Sequence, residues 1–223
     1  MFGMDPARLI ELISILAIPM IFAITLHEVA HGWAAKRLGD STAFRLGRLS
    51  LNPLRHVDPV GTVLVPLGMA FLTQGQMYFG WAKPVPVVFA NLRNPKRDMV
   101  LVAAAGPGAN LAMATAWTLL YVIFATMGGT PDEWAIRVCQ AGIYFNVLLM
   151  VFNLIPIPPL DGGRVLSGLL PPQGSAVVDR IEPFGFFIVI LLMLPTAAIL
   201  WTVMEPLMRF FLDFFYSAIR DLT

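Results

Sequence analysis

The sequence predicts an all-α polytopic membrane protein with four or five transmembrane helices, on three observations. Of 223 residues, 57% are hydrophobic and only 13% are charged, against roughly a quarter charged in soluble domains. The mean hydropathy is +0.74. Apolar runs of about 20 residues, the length that spans roughly 30 Å of hydrocarbon, recur along the chain. The length suits a single membrane-embedded domain over 1–223, with no sizeable soluble module. A net charge of +1 gives no reason to expect a nucleic-acid partner. The single cysteine, Cys139, has no internal disulfide partner and reads as a small apolar residue within a helix.

The elements follow in order. The first span covers 9–35. No basic region and cleavable small-residue site precede it, so it reads as a permanent span rather than a signal peptide. Residues 44–52 (FRLGRLSLN) are expected to supply a short hairpin or strand beside the 59–82 run. The run 59–82 is uncharged but carries Gly61, Pro66, Gly68, Gln74, Gly75 and Gln76. Spans are predicted at 99–127, 134–157 and 184–204. After Pro206 the tail is too short to cross. Phe210, Phe211, Phe214 and Phe215, with Arg209 and Asp213 nearby, predict an interfacial amphipathic helix over 206–219, its phenylalanines towards lipid.

Charge sets the topology. Lys36, Arg37, Arg45, Arg48 and Arg55 follow the first span, and Lys83, Arg93, Lys96 and Arg97 precede the second. The connection at 128–133 holds only Asp132 and Glu133. The positive-inside rule places both basic segments in the cytoplasm. A single crossing by 59–82 would put them on opposite sides. That run is therefore expected to re-enter the membrane or lie along it, packed against protein or a watery cavity.

The first span contains HEVAH, His27 to His31. Two imidazoles four residues apart share a helix face, and a Glu beside the first can polarise a metal-bound water. Ionisable groups at membrane depth persist mainly where they are used. Catalytic zinc usually takes three protein ligands and a water. The third ligand has two candidates, Asp161 and His56. Asp161 lies in NLIPIPPLDGG (153–163), where Pro156, Pro158 and Pro159 break a helix and Gly162 and Gly163 allow a tight approach. With 59–82 re-entrant, the later spans return Asp161 to the cytoplasmic side, level with the histidines.

HEVAH in the first core helix, AAAGPGAN at 103–110 and NLIPIPPLDGG at 153–163 resemble, in order and spacing, the site-2 protease family of intramembrane zinc metalloproteases. GRLSLNPLRHVDPVGT and FGWAKPVPV resemble a compact prokaryotic branch without a PDZ or CBS module. The resemblance implies one Zn2+ per chain on His27, His31 and Asp161, with Glu28 as general base. It suggests Asn153 as oxyanion donor, with Asn110 assisting, and Asn146 on the same helix face pairing with substrate backbone or another helix. It implies hydrolysis of peptide bonds within or near transmembrane segments of other membrane proteins. The enzyme would sit in a prokaryotic inner membrane with its active site towards the cytoplasm, its partners being lipid and transmembrane substrates.

Plainer readings stand beside these. Interhelical hydrogen bonding rivals the substrate roles of Asn110, Asn146 and Asn153. For His56, a solvated interfacial residue beside a turn-forming Asp58 is favoured over a partner for a ligand or a gate. Gly106 and Gly108 read as close helix packing, and Trp81–Pro86 as either an interfacial anchor or an edge strand beside substrate. The competing functions are a metal transporter or sensor, and a catalytically silent scaffold that binds substrates.

Overall fold

The computed structural model describes residues 5–72, 80–193 and 199–223. Helix α1 (Pro6–Arg37) is a 32-residue element, about 48 Å long at 1.5 Å per residue. Asp5 caps it by accepting the N–H of Ala7, and Pro6 supplies the preset φ of a first helical position. Lys36 and Arg37 sit at its carbonyl end, which favours cations. Gly39, at φ +119°, then reverses the chain.

Asp40 follows at 1% exposure. Its carboxylate accepts the Thr42 N–H and hydroxyl, the Val88 N–H and the Asn91 amide. Burial pushes its carboxyl pKa up, but these hydrogen bonds outweigh that and hold it below the usual carboxylate value. The clasp fixes the 85–91 segment to the end of α1.

The short helix α2 (Thr42–Arg45) and irregular backbone replace the strand expected over 44–52, and no strand occurs among the described residues. Gly47, at φ +63°, turns the chain, and the Arg55 guanidinium bonds its carbonyl at 2.5 Å. Among the described residues no strand lies alongside this segment to pair with it. Residues 80–88 are extended but form no ladder. Pro84 and Pro86 have no N–H to give, and the Val85 and Val88 N–H groups go to carboxylates instead.

The 59–82 run opens with a wide π-type turn, Pro59–Leu64, capped by Asp58, and continues as α3 (Val65–Leu72). Residues 73–79 of that run lie outside the described residues. Its two ends are bonded together. Trp81 N–H reaches the Gly61 carbonyl at 3.0 Å, the Thr62 hydroxyl reaches the Trp81 carbonyl at 2.9 Å, and Lys83 N–H reaches the His56 carbonyl at 2.8 Å.

Helix α4 (Pro95–Thr126) starts with Pro95, and Asp98 reaches back to the Asn94 N–H at 2.9 Å. Helix α5 (Trp134–Asn153) stops short of the expected residue 157. The prolines at 156, 158 and 159 cannot continue the backbone ladder, so 154–160 folds into tight turns. Helix α6 (Asp161–Leu169) then restarts with Asp161 as its first residue. Helix α7 (Pro172–Met193) and helix α8 (Ile199–Leu222) divide the predicted 184–204 run between them, with 194–198 outside the described residues. The expected 206–219 helix is thus the greater part of α8, which continues through Pro206.

Helix α4 is central, packing against α1, α5 and α6, while α5 also packs on α1 and α8. Ile143 and Val147 of α5 are wholly buried, beside Ala114 of α4 and Met204, Met208 and Phe215 of α8. Phe215 is therefore core at 2% exposure, whereas Phe210 and Phe214 face outwards as expected. Cys139 lies within α5, as expected, and is buried there. Helices α1, α4 and α5 are each long and apolar enough to cross a membrane. Their outward faces expose large apolar side chains such as Ile10, Phe22, Leu119 and Ile123, the surface expected of an integral membrane protein. At one end of α1, Glu11 pairs with Arg137 at 2.7 Å and Ser14 accepts the Trp134 indole N–H at 2.8 Å.

Candidate metal centre

His27 and His31 are one turn apart on α1, and their rings meet edge to face with centroids 4.6 Å apart. Their Nε2 atoms approach to 3.0 Å. Asp161 arrives from the start of α6, its Oδ2 3.2 Å from His27 Nε2 and 3.3 Å from His31 Nε2. The turn at 154–160 delivers it because two glycines let the backbone close up. A Cβ at Gly162 would lie 2.2 Å from the Leu154 carbonyl oxygen, and one at Gly163 2.4 Å from the Pro158 nitrogen.

These three atoms suit a cation. Ligand atoms about 2.0–2.1 Å from a tetrahedral zinc stand roughly 3.3 Å from each other, close to the edges observed. Asp161 Oδ2 is buried with no hydrogen-bond donor of its own. The Nδ1 of His31 lies 2.7 Å from the Val102 carbonyl, which can only accept, so the neutral ring turns the lone pair of Nε2 to Asp161. Lone pairs facing one another in a buried site are costly unless a positive charge lies between them. Room is provided from below by Gly106 of α4: a Cβ there would lie 2.4 Å from His31 Nε2 and 2.6 Å from His27 Nε2. Among the described residues this is the one group of three side chains able to hold a metal ion.

Glu28, next to the first histidine, turns to the extended segment, its Oε2 accepting the Val85 N–H at 2.7 Å. It lines a cavity of about 740 Å3 together with His27, His56, Trp81, Asn153 and Phe186. Asn153 gives one amide hydrogen to the Leu149 carbonyl at 2.9 Å, and a primary amide has a second to offer. Asn110 and Asn146 line no part of this cavity. Both are 0% exposed, and Asn110 Oδ1 lies 2.6 Å from His27 Nδ1. The interhelical reading therefore describes their surroundings better than contact with substrate. His56 is 2% exposed, not solvated, with Nε2 2.8 Å from the Ser50 carbonyl. It is not among the three residues that converge.

Sequence reasoning read Gly106 only as packing, although it stands four residues before Asn110 and so on the same face of α4. Val85, inside the Trp81–Pro86 segment, and Val102 are not singled out by sequence. They act through backbone groups, which leave no trace in residue type.

Fold and site together define a membrane-embedded protein with a buried two-histidine, one-carboxylate centre beside an acidic residue at a cavity wall. The chain belongs to peptidase family M50, the site-2 protease family, whose model matches residues 121–196. It is 37% identical over 187 residues to YwhC of Bacillus subtilis, a protein provisionally named as a zinc metalloprotease, covering 82% of this chain and 81% of that one. It is 31% identical over 201 residues to Rip2 of Mycolicibacterium smegmatis, covering 87% and 71% respectively, and 30% identical over 184 residues to Rip2 of Mycobacterium tuberculosis, covering 79% and 65%. Both carry the same kind of provisional name. No solved structure gives a significant match.

Proposed function

We propose that this protein is an intramembrane zinc metalloprotease that hydrolyses peptide bonds within or near transmembrane segments of other membrane proteins. The observation that carries the reading is the meeting of His27, His31 and Asp161 within 4.8 Å at a buried point, one residue from Glu28 on a cavity wall. Those three side chains would hold one Zn2+, which when bound supplies a water acidic enough to ionise near neutral pH and polarises a carbonyl.

The chain's own groups do the rest. Glu28 takes the proton of the attacking water and passes it to the amine as the C–N bond breaks. The Val85 N–H holds one carboxylate oxygen of Glu28, which leaves the other to meet the water. Asn153 presents an amide hydrogen to the carbonyl oxygen as negative charge builds there. The cavity, walled by side chains such as Met20, Ile24, Leu149 and Phe186, suits an apolar segment. A helical segment must unwind locally to present its carbonyl, and a walled, hydrated cavity tolerates that backbone at membrane depth.

The bonded ends of the 59–82 run support re-entry, because a single crossing would separate them by about 30 Å. Re-entry puts both basic segments on one side and the metal centre towards the cytoplasm, in what we take to be a prokaryotic inner membrane. A transporter would need a succession of sites, whereas the described residues form one closed centre.

The test is cleavage of a single-span reporter by purified protein in proteoliposomes. Cleavage is expected to stop on chelation and to return with added Zn2+. Undiminished cleavage after the metal has been removed to below one-tenth of an equivalent would reject the reading.

A further inference from the structure

Four hydrogen bonds link α5 through α4 to α1 and form a network with a single sense. At its far end Asn146 bonds the Gly142 carbonyl at 2.8 Å. A carbonyl only accepts, so the amide nitrogen of Asn146 must point there and its Oδ1 must point to Asn110. Asn110 Nδ2 then donates to Asn146 Oδ1 at 3.0 Å and to the Ala23 carbonyl at 3.3 Å. The second acceptor fixes the same orientation independently. Asn110 Oδ1 is left facing His27 Nδ1 at 2.6 Å, and as an acceptor it requires the proton on Nδ1. The other ring nitrogen, Nε2, is then bare and points to Asp161.

We infer that Asn110 and Asn146 are positioning residues that set the tautomer of His27, so that α4 and α5 together prepare its Nε2 to bind zinc. The inference rests on the reading of His27, His31 and Asp161 as ligands. Both asparagines are fully buried, so no water competes for these bonds. A reversed amide at either position would set two donors or two acceptors against each other inside the protein, leaving buried polar groups unsatisfied. His31 needs no such chain, because the Val102 carbonyl fixes its tautomer directly.

The experiment measures zinc affinity by chelator competition on the full-length protein in detergent, with a 15N-histidine spectrum to read which ring nitrogen carries the proton. Asn110→Leu removes the acceptor, and Asn146→Leu removes the group that orients it. Affinity is expected to fall by about 10–100-fold in Asn110→Leu, as on loss of other partners that orient ligands, and by less in Asn146→Leu. Asn110→Asp keeps an acceptor on Nδ1–H and is expected to stay within a few fold of wild type, with Nδ1 still protonated. A purely structural role would lower thermal stability in all three while zinc affinity and tautomer stayed unchanged, and that result would overturn the inference. So would an Asn110→Asp protein as weak in zinc binding as Asn110→Leu. His27→Ala and Asp161→Ala run alongside: if they too keep wild-type affinity, the ligand reading itself has failed.

Discussion

Replacing Glu28 by Gln is expected to lower the cleavage rate by about 10^2–10^4-fold, the usual worth of a positioned general base, while zinc content stays at the wild-type level. The substitution is nearly isosteric, and the amide oxygen can still accept the Val85 N–H that Glu28 holds at 2.7 Å. Only the basicity is lost. Glu28 is not among the three converging side chains able to hold a metal ion, so the substitution gives no reason for metal content to fall. Cleavage of a single-span reporter and metal analysis of the same preparation check both halves. Wild-type turnover would remove Glu28 from the base role, and loss of zinc alongside activity would make it a ligand instead.

A methyl group at Gly106 is expected to weaken zinc binding by on the order of 10^2-fold or more, beyond the loss seen for orienting partners. The Cβ would stand 2.4 Å from His31 Nε2 and 2.6 Å from His27 Nε2. Ring ends can often swing aside, but these rings are tied by their other nitrogens to Val102 and Asn110. Ala is also the better helix former, by about 1 kcal/mol, so Gly106→Ala has no backbone reason to unfold. Gly108→Ala is the control, since nothing lies within 4 Å of a Cβ there. Chelator competition on both variants reads the difference. Equal, wild-type affinities would show that the space under the imidazoles is not where the ion sits.

The parts legible in the sequence were those governed by residue type and period. HEVAH fixes two rings on one helix face wherever that helix lies. The proline run ends α5 and the glycine pair lets Asp161 turn inward, and both effects are backbone sterics that need no tertiary knowledge. The three long apolar helices follow from length alone. What escaped was decided by partners. Residues 44–52 suit a short strand or hairpin, but among the described residues no strand edge pairs with them. Val85 and Val88 give their N–H groups to Glu28 and Asp40, a choice set by where α1 ends. The 184–204 run reads as one apolar span, and its described parts belong to α7 and α8. His56 reads as an exposed loop residue because it stands near Arg55 and Asp58, and only the fold brings the Ser50 carbonyl to its Nε2. Asn110 and Asn146 carried a real signal as polar groups in apolar helices, but their direction of bonding required coordinates.

The most direct measurement is the zinc content and first coordination sphere of purified protein, wild type against Asp161→Ala, by metal analysis and X-ray absorption at the zinc edge. The account predicts about one ion per chain in the wild type, bound through two imidazoles and a carboxylate, and a large loss of bound zinc in Asp161→Ala. Wild-type stoichiometry and affinity in that variant, or a coordination sphere without two imidazoles, would contradict it.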